Sequence, residues 1–165
     1  MRPSVAQGVP DRIDASADVA IVGAGACGLV AALRAHAAGA EVIVLERDAT
    51  PSGSTAMSSG FVPAPATTFQ REAGIEDDTP ERFVADMMVK SKGRAVPHLA
   101  ELAARNIGSA LEWLAEAHGI EWSVLTDFLY PGHSRHRMHA VPEKTGAGLM
   151  ARLLAACEAE GVPVV

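Results

Sequence analysis

The chain has 165 residues, a formal net charge of −6 and 48% apolar residues, the profile of one globular domain able to bury roughly two-thirds of the surface its unfolded form exposes. The acidic balance argues against a nucleic-acid surface, for which a basic patch supplies most of the affinity, and the apolar fraction excludes a disordered chain. No run of roughly 18 apolar residues is present to span a bilayer, and Met1 to Val5 carry neither a long apolar stretch nor a twin arginine. A soluble, cytoplasmic protein is the expectation.

In chain order, residues 1–17 mix Pro, Gly, Gln and charges without periodicity and read as a flexible arm. The stretch from Asp18 to Glu46 then reads as strand, glycine turn, helix, strand. Val19 to Val22 form a short apolar run, Gly23, Gly25 and Gly28 make a G-x-G-x-x-G turn, and the alanine-rich segment Ala26 to Ala38 is helical in character. Each glycine has its own reason. Gly23 turns the chain out of the strand, Gly25 leaves no Cβ between backbone and a pyrophosphate, and Gly28 lets helix and sheet approach. The helix start, including Ala26 and Cys27, presents unpaired N–H groups and a positive dipole end to an anion. Val42 to Leu45 form a second strand ending on Glu46, 18 positions after Gly28 and near the separation of about 20 expected of an acid on a ribose hydroxyl. A carboxylate there favours a free 2′-hydroxyl over a 2′-phosphate, an inference the adjacent Arg47 softens. The alternative is a βαβ unit that merely packs, which leaves three glycines costing helix and turn stability without return.

After Glu46 a glycine and hydroxyl segment, Ser52 to Gly60, leaves the sheet where a ligand would lie. Ser54, Thr55, Ser58 and Ser59 offer hydroxyls, and Gly53 and Gly60 permit close backbone approach. Phe61 to Gln70 reads as an extended connection. Thr79-Pro80-Glu81 starts a helix reaching about Lys92; a second follows Pro97, with Leu99, Leu102 and Ala103 on one face, and a third spans Ile107 to His118 before Gly119. Together residues 79–119 form a helical insertion. Trp122, Val124 and Leu125 have strand character. His133, Arg135, His136, Arg137 and His139 follow, and a basic loop near an anionic ligand is a more economical reading than a metal site, since no Cys, Asp or Glu joins the histidines. Thr145 caps a last helix with Leu149, Leu153, Leu154 and Cys157 on one face, and Val162 to Val165 begin another strand. Cys27 and Cys157 fit neither disulfide nor metal spacing, which suits a reducing compartment. The expected fold is α/β, with a Rossmann-like parallel sheet left incomplete and a helical insertion; residues 18–60 form the βαβ unit and loop, and residues 120–165 return to the sheet.

These residues carry a resemblance. Gly23-Ala24-Gly25-Ala26-Cys27-Gly28 with Glu46-Arg47, followed by Ser52-Gly53-Ser54-Thr55-Ala56-Met57-Ser58-Ser59-Gly60, resemble the two flavin-binding stretches of the fumarate reductase and succinate dehydrogenase flavoproteins, which include 3-ketosteroid dehydrogenases. The second stretch separates this family from nicotinamide dehydrogenases. Ser52 departs from the family's usual first glycine in that loop. The resemblance covers residues 18–165 and implies an FAD-binding domain, here partial, of an oxidoreductase that transfers hydride to or from a C–C bond next to a carbonyl or carboxylate. It implies pyrophosphate contacts for Gly23, Gly25, Ala26, Cys27 and Gly28, ribose contacts for Glu46 beside Arg47, and phosphate or ring contacts for Ser54, Thr55, Ser59 and Gly60. It also implies a small dicarboxylate-like or ketosteroid-like substrate. The family's substrate- and proton-handling residues lie beyond Val165, so no catalytic residue can be named, and the expectation is of a fragment, completed by a C-terminal part and catalytically silent alone. The alternatives are a non-catalytic fragment retaining the nucleotide-binding elements and an NAD-dependent dehydrogenase domain.

Overall fold

A computed structural model describes residues 16–165; all but the last two residues of the expected arm lie outside the described residues. In chain order the elements are β1 (Val19–Val22), α1 (Ala26–Ala37), β2 (Val42–Leu45), α2 (Ser54–Met57), β3 (Val62–Pro63), α3 (Thr68–Glu72), α4 (Pro80–Lys90), α5 (Pro97–His118), β4 (Ser123–Val124), β5 (Met138–Ala140) and α6 (Gly146–Ala159). The chain divides into two compact units. The first joins the residues up to Gly60 to Thr145–Val165, and the second is Phe61–Lys144.

In the first unit β1 and β2 pair in parallel, Val19 opposite Val42 through to Val22 opposite Leu45. A parallel pair needs a crossover connection, which α1 supplies. It buries Leu29, Ala32 and Leu33 and packs on α6, whose Leu149, Met150, Leu153, Ala156 and Cys157 are buried in turn. Burial pushes the Cys157 thiol up to about 11, so this cysteine acts as a small apolar side chain. Past Gly161 the chain returns beside β2. Val164 bridges Val44 in parallel, with N–H to carbonyl bonds from Val44 to Pro163 (2.9 Å), Val165 to Val44 (2.9 Å) and Glu46 to Val165 (2.7 Å). The strand expected at Val162 to Val165 thus extends the parallel pairing.

The second unit packs α4 against α5 and carries a small antiparallel sheet in the order β3-β5-β4. Thr79 caps α4 by accepting from the Arg82 N–H at 3.2 Å, with Pro80 at the first helical position. Where the sequence suggests two helices, α5 runs unbroken for 22 residues to a left-handed Gly119. Nothing between Leu102 and Ile107 interrupts it. Asn106 turns its amide back to the Leu102 carbonyl at 2.7 Å, and Gly108 sits where an added Cβ would lie 2.9 Å from the Pro65 carbonyl oxygen. Leu99, Leu102 and Ala103, expected on one face, line a common apolar groove of about 580 Å³ with Phe83 and Met87, and Leu99 and Leu102 are 54% and 61% exposed. A second difference lies in the connection after Phe61, which folds into α3 because Thr67 and Gln70 form a reciprocal capping box.

Candidate cofactor site

The turn from β1 into α1 is fixed from both ends. The Gly23 N–H donates to the Leu45 carbonyl at 2.7 Å, and Gly23 adopts φ +99°, a conformation that side chains disfavour. A Cβ on Gly28 would overlap the Gly23 carbonyl oxygen and lie 3.3 Å from Ile21 Cγ2, so this glycine is required by the fold. Gly25 differs from both. A Cβ there would meet only Thr55 Oγ1, at 3.7 Å, so the space above it is a cradle that a side chain would enter. Gly25 is also the N-cap of α1 and supplies no side-chain acceptor, and the first turn holds no acid. The Ala26 N–H donates to Thr55 Oγ1 at 3.2 Å. The next amides, of Cys27 and Gly28, belong to those that a helix start leaves without intrahelical partners, and the Cys27 side chain beside them is exposed.

Glu46, at the end of β2, reaches this turn. Its Oε2 accepts from the Ala24 N–H at 2.7 Å and its Oε1 from the Asp48 N–H at 3.0 Å. Those two N–H donors, Asp48 foremost and then Ala24, hold its carboxyl below the usual range. The acid is therefore charged and seated beside the glycines. Arg47 points elsewhere, its guanidinium forming two 3.2 Å bonds with the Asp48 carboxylate.

The hydroxyl loop divides its side chains between two tasks. Thr55 reaches α1 as described. Ser58 Oγ donates to the Thr55 carbonyl at 2.7 Å and accepts from the Gly60 N–H at 3.0 Å, so its hydroxyl is consumed within the loop. Ser54 and Ser59 are exposed. Gly60 is buried at φ +68°, where a Cβ would sit 2.7 Å from the Thr145 carbonyl oxygen. The Gly146 N–H donates to the Ser58 carbonyl at 2.9 Å, while Thr145 caps α6 through Gly148. The structure thus brings Gly25, Ala26 and Thr55 together, sets Glu46 against Ala24, and joins Gly60 to the start of α6. It leaves Arg47, Ser54 and Ser59 at the surface. Gly146 joins the site as well, although in the sequence it is visible only as the second residue of a Thr-Gly pair at a helix cap.

In the second unit the histidine and arginine segment is not an open basic loop. Arg137 is fully buried, its Nη2 and Nε donating to Asp78 at 2.7 and 2.9 Å and its Nη1 to Asp86, and its guanidinium lies 4.9 Å from the Phe83 ring centroid. Arg135 is paired with Asp77. His139, also fully buried, sets Nδ1 against the Arg137 carbonyl at 2.9 Å and Nε2 against Thr67 Oγ1 at 2.8 Å. The carbonyl can only accept, so Nδ1 carries the proton and the threonine hydroxyl donates to Nε2. The expectation of free cations facing an anionic ligand is corrected here: carboxylates distant in sequence, Asp77, Asp78 and Asp86, take up both guanidinium charges.

Residues 18–165 match the FAD binding domain family. The chain belongs to the FAD-binding flavoproteins of the fumarate reductase and succinate dehydrogenase family. It is 33% identical over 144 residues to a urocanate reductase of Eggerthella lenta, covering 87% of this chain and 23% of that protein. Among solved structures, it is similar to the open conformation of a flavocytochrome c3 fumarate reductase, with a TM-score of 0.80 and 27% identity over 90% of this chain and 26% of that one. It is also similar to a 3-ketosteroid-Δ4-(5α)-dehydrogenase from Rhodococcus jostii in complex with 4-androstene-3,17-dione, with a TM-score of 0.76 and 26% identity over 100% of this chain and 40% of that one. The chain spans about a quarter of the length of the urocanate reductase it matches. Its cofactor is FAD, and the open cradle over Gly25 at an uncapped helix start fits the pyrophosphate of that group. Among the described residues, no helix is long and apolar enough to cross a membrane.

Proposed function

We propose that this chain supplies the cofactor-binding part of a cytoplasmic flavoenzyme that transfers hydride to or from a C–C bond next to a carbonyl or carboxylate. The observation that carries the reading is the bond from the Ala26 N–H to Thr55 Oγ1, which seats the hydroxyl loop at the same helix start that the glycine turn leaves open. The glycine turn alone would serve any dinucleotide, whereas the hydroxyl loop seated beside it suits the flavin half of FAD. In this reading Gly23, Gly25, Ala26, Cys27 and Gly28 hold the pyrophosphate, and Glu46 accepts from the ribose with Arg47 flanking it. Ser54, Thr55, Ser59 and Gly60 face the flavin half. When bound, the flavin supplies the hydride chemistry; the residues of this chain bind and orient it. The substrate class is a small dicarboxylate or a ketosteroid, in keeping with the names of the fumarate reductase and the ketosteroid dehydrogenase to which the chain is similar.

Gly25→Ala tests the reading, because the backbone there tolerates a methyl group and the cradle does not. FAD titration should show a loss of affinity of about tenfold or more, the effect of a lost charge-assisted contact, with an unchanged circular dichroism spectrum. Equal affinity for FAD in the two proteins would sink the assignment.

A further inference from the structure

Gly146 has a glycine's role that neither the turn nor the helix cap explains. It opens α6 at an ordinary helical position, yet an added Cβ would overlap the Thr55 carbonyl oxygen and lie 2.7 Å from the Ser58 carbonyl oxygen and 2.9 Å from Ser58 Oγ. Its N–H holds the Ser58 carbonyl at 2.9 Å. From the other side Gly60 approaches the same backbone, with its would-be Cβ 2.8 Å from the Gly146 nitrogen. Ser58 closes the arrangement by bonding the Thr55 carbonyl and the Gly60 N–H. Two glycines therefore let two pieces of backbone touch without side chains between them, and a serine hydroxyl locks the loop in that contact.

We propose that Gly146 and Ser58 are positioning residues which clamp the loop from Thr55 to Gly60 onto the start of α6, and so set the affinity for the flavin half of the cofactor while leaving the adenosine half untouched. The proposal rests on the cofactor reading above. The adenosine half is served by Gly23 to Gly28 and Glu46, none of which bonds Gly146 or Ser58; the Ala26 N–H to Thr55 Oγ1 bond links the two halves and neither substitution below removes it, so the halves are separable by choice of ligand. A general loss of structure would weaken both halves equally.

The test compares FAD with ADP as ligands of the full chain. Gly146→Ala intrudes on the clamp, and Ser58→Ala removes its hydroxyl without adding bulk, so the second variant remains informative if the first fails to fold. Each should raise the dissociation constant for FAD about tenfold, the effect of losing one or two hydrogen bonds, and leave that for ADP within about twofold of the parent. Amide hydrogen exchange should quicken over residues 55–60 in both variants. An unchanged ratio of FAD to ADP affinity in a folded Ser58→Ala protein, or an equal loss for both ligands, would overturn the clamp alone. A parent chain that binds ADP and not FAD would overturn the cofactor reading, and the clamp with it.

Discussion

Each of the two units owes its internal geometry to different physics. In the first, the functional geometry is made of backbone: Gly28 against Gly23, Gly60 and Gly146 against each other, and a carboxylate on the Ala24 amide. In the second it is made of side chains, with Thr67, Gln70, Asp78, Arg137 and His139 all buried and joined in one series of hydrogen bonds. Gln70 donates to Asp78 at 2.8 Å, Asp78 receives Arg137, and the Arg137 carbonyl receives His139, which returns to Thr67. Backbone contact tolerates no added atom but carries no charge to desolvate. A buried charged series tolerates no lost partner, because each unpaired member retains its full desolvation penalty. The first unit should therefore be sensitive to additions and the second to deletions.

The largest effect expected from this contrast is a deletion in the second unit. Arg137→Met keeps much of the volume and leaves Asp78, whose side chain is 1% exposed, with Gln70 but without its cationic partner. The loss of stability should be ~3–5 kcal/mol, the range for breaking a buried ion pair from one side. Urea denaturation measures the total, and hydrogen exchange should place the loss in residues 61–144. A change under ~1 kcal/mol would mean that the pair behaves like a surface salt bridge, and the contrast would fail. A smaller effect, on binding alone, is expected at the first unit's carboxylate. Glu46→Ala removes the acceptor for Ala24 and, in the proposed site, for the ribose. The FAD dissociation constant should rise about tenfold with little change in melting behaviour. An unchanged constant would show that Glu46 serves only the turn.

The contrast also explains what the sequence could disclose. Backbone-made geometry is written locally, since a glycine that must be glycine appears as one, and the spacing from Gly28 to Glu46 is set by one strand-helix-strand unit. That is why β1, α1, β2, the caps at Thr79 and Thr145 and the face of α6 agree closely with the sequence reading. The exceptions have the same cause. Gly146 looked like part of a cap because its partners, Thr55 and Ser58, are some ninety residues away, and no periodicity links them. Arg137 looked free because Asp78 and Asp86 lie 59 and 51 positions before it. The break expected before Ile107 shows the reverse error: the sequence suggests two short helices where α5 runs unbroken, and Gly108 inside it leaves the space that the Pro65 carbonyl oxygen needs.

The smallest expected effect concerns protons. His139 sits neutral with both ring nitrogens engaged, and burial holds its pKa below the ordinary imidazole value. The Arg137 and Val62 carbonyls and the Asp78 and Glu112 carboxylates favour the cation but do not outweigh that burial. Protonation would put a second donor on the ring facing Thr67 Oγ1, which already accepts from the Gln70 N–H at 3.0 Å as part of the α3 cap. Below about pH 6.5, the ordinary histidine value, the unfolded chain binds a proton that the folded ring refuses, so stability falls as pH drops and rises as it returns. The limiting slope for one such group is about 1.4 kcal/mol per pH unit. His133 is held low as well, chiefly by burial, so the contribution of His139 must be isolated by substitution. His139→Gln retains a donor and an acceptor but cannot titrate. Its urea midpoint should fall less steeply than the parent's between pH 6.5 and 5, the difference approaching one proton. The carboxylates of Asp77 and Asp86 are held below their ordinary values and lose their contribution only at lower pH, outside that window. Parallel profiles for the two proteins would mean that His139 titrates freely in the fold, and that the second unit does not depend on the neutral ring at its centre.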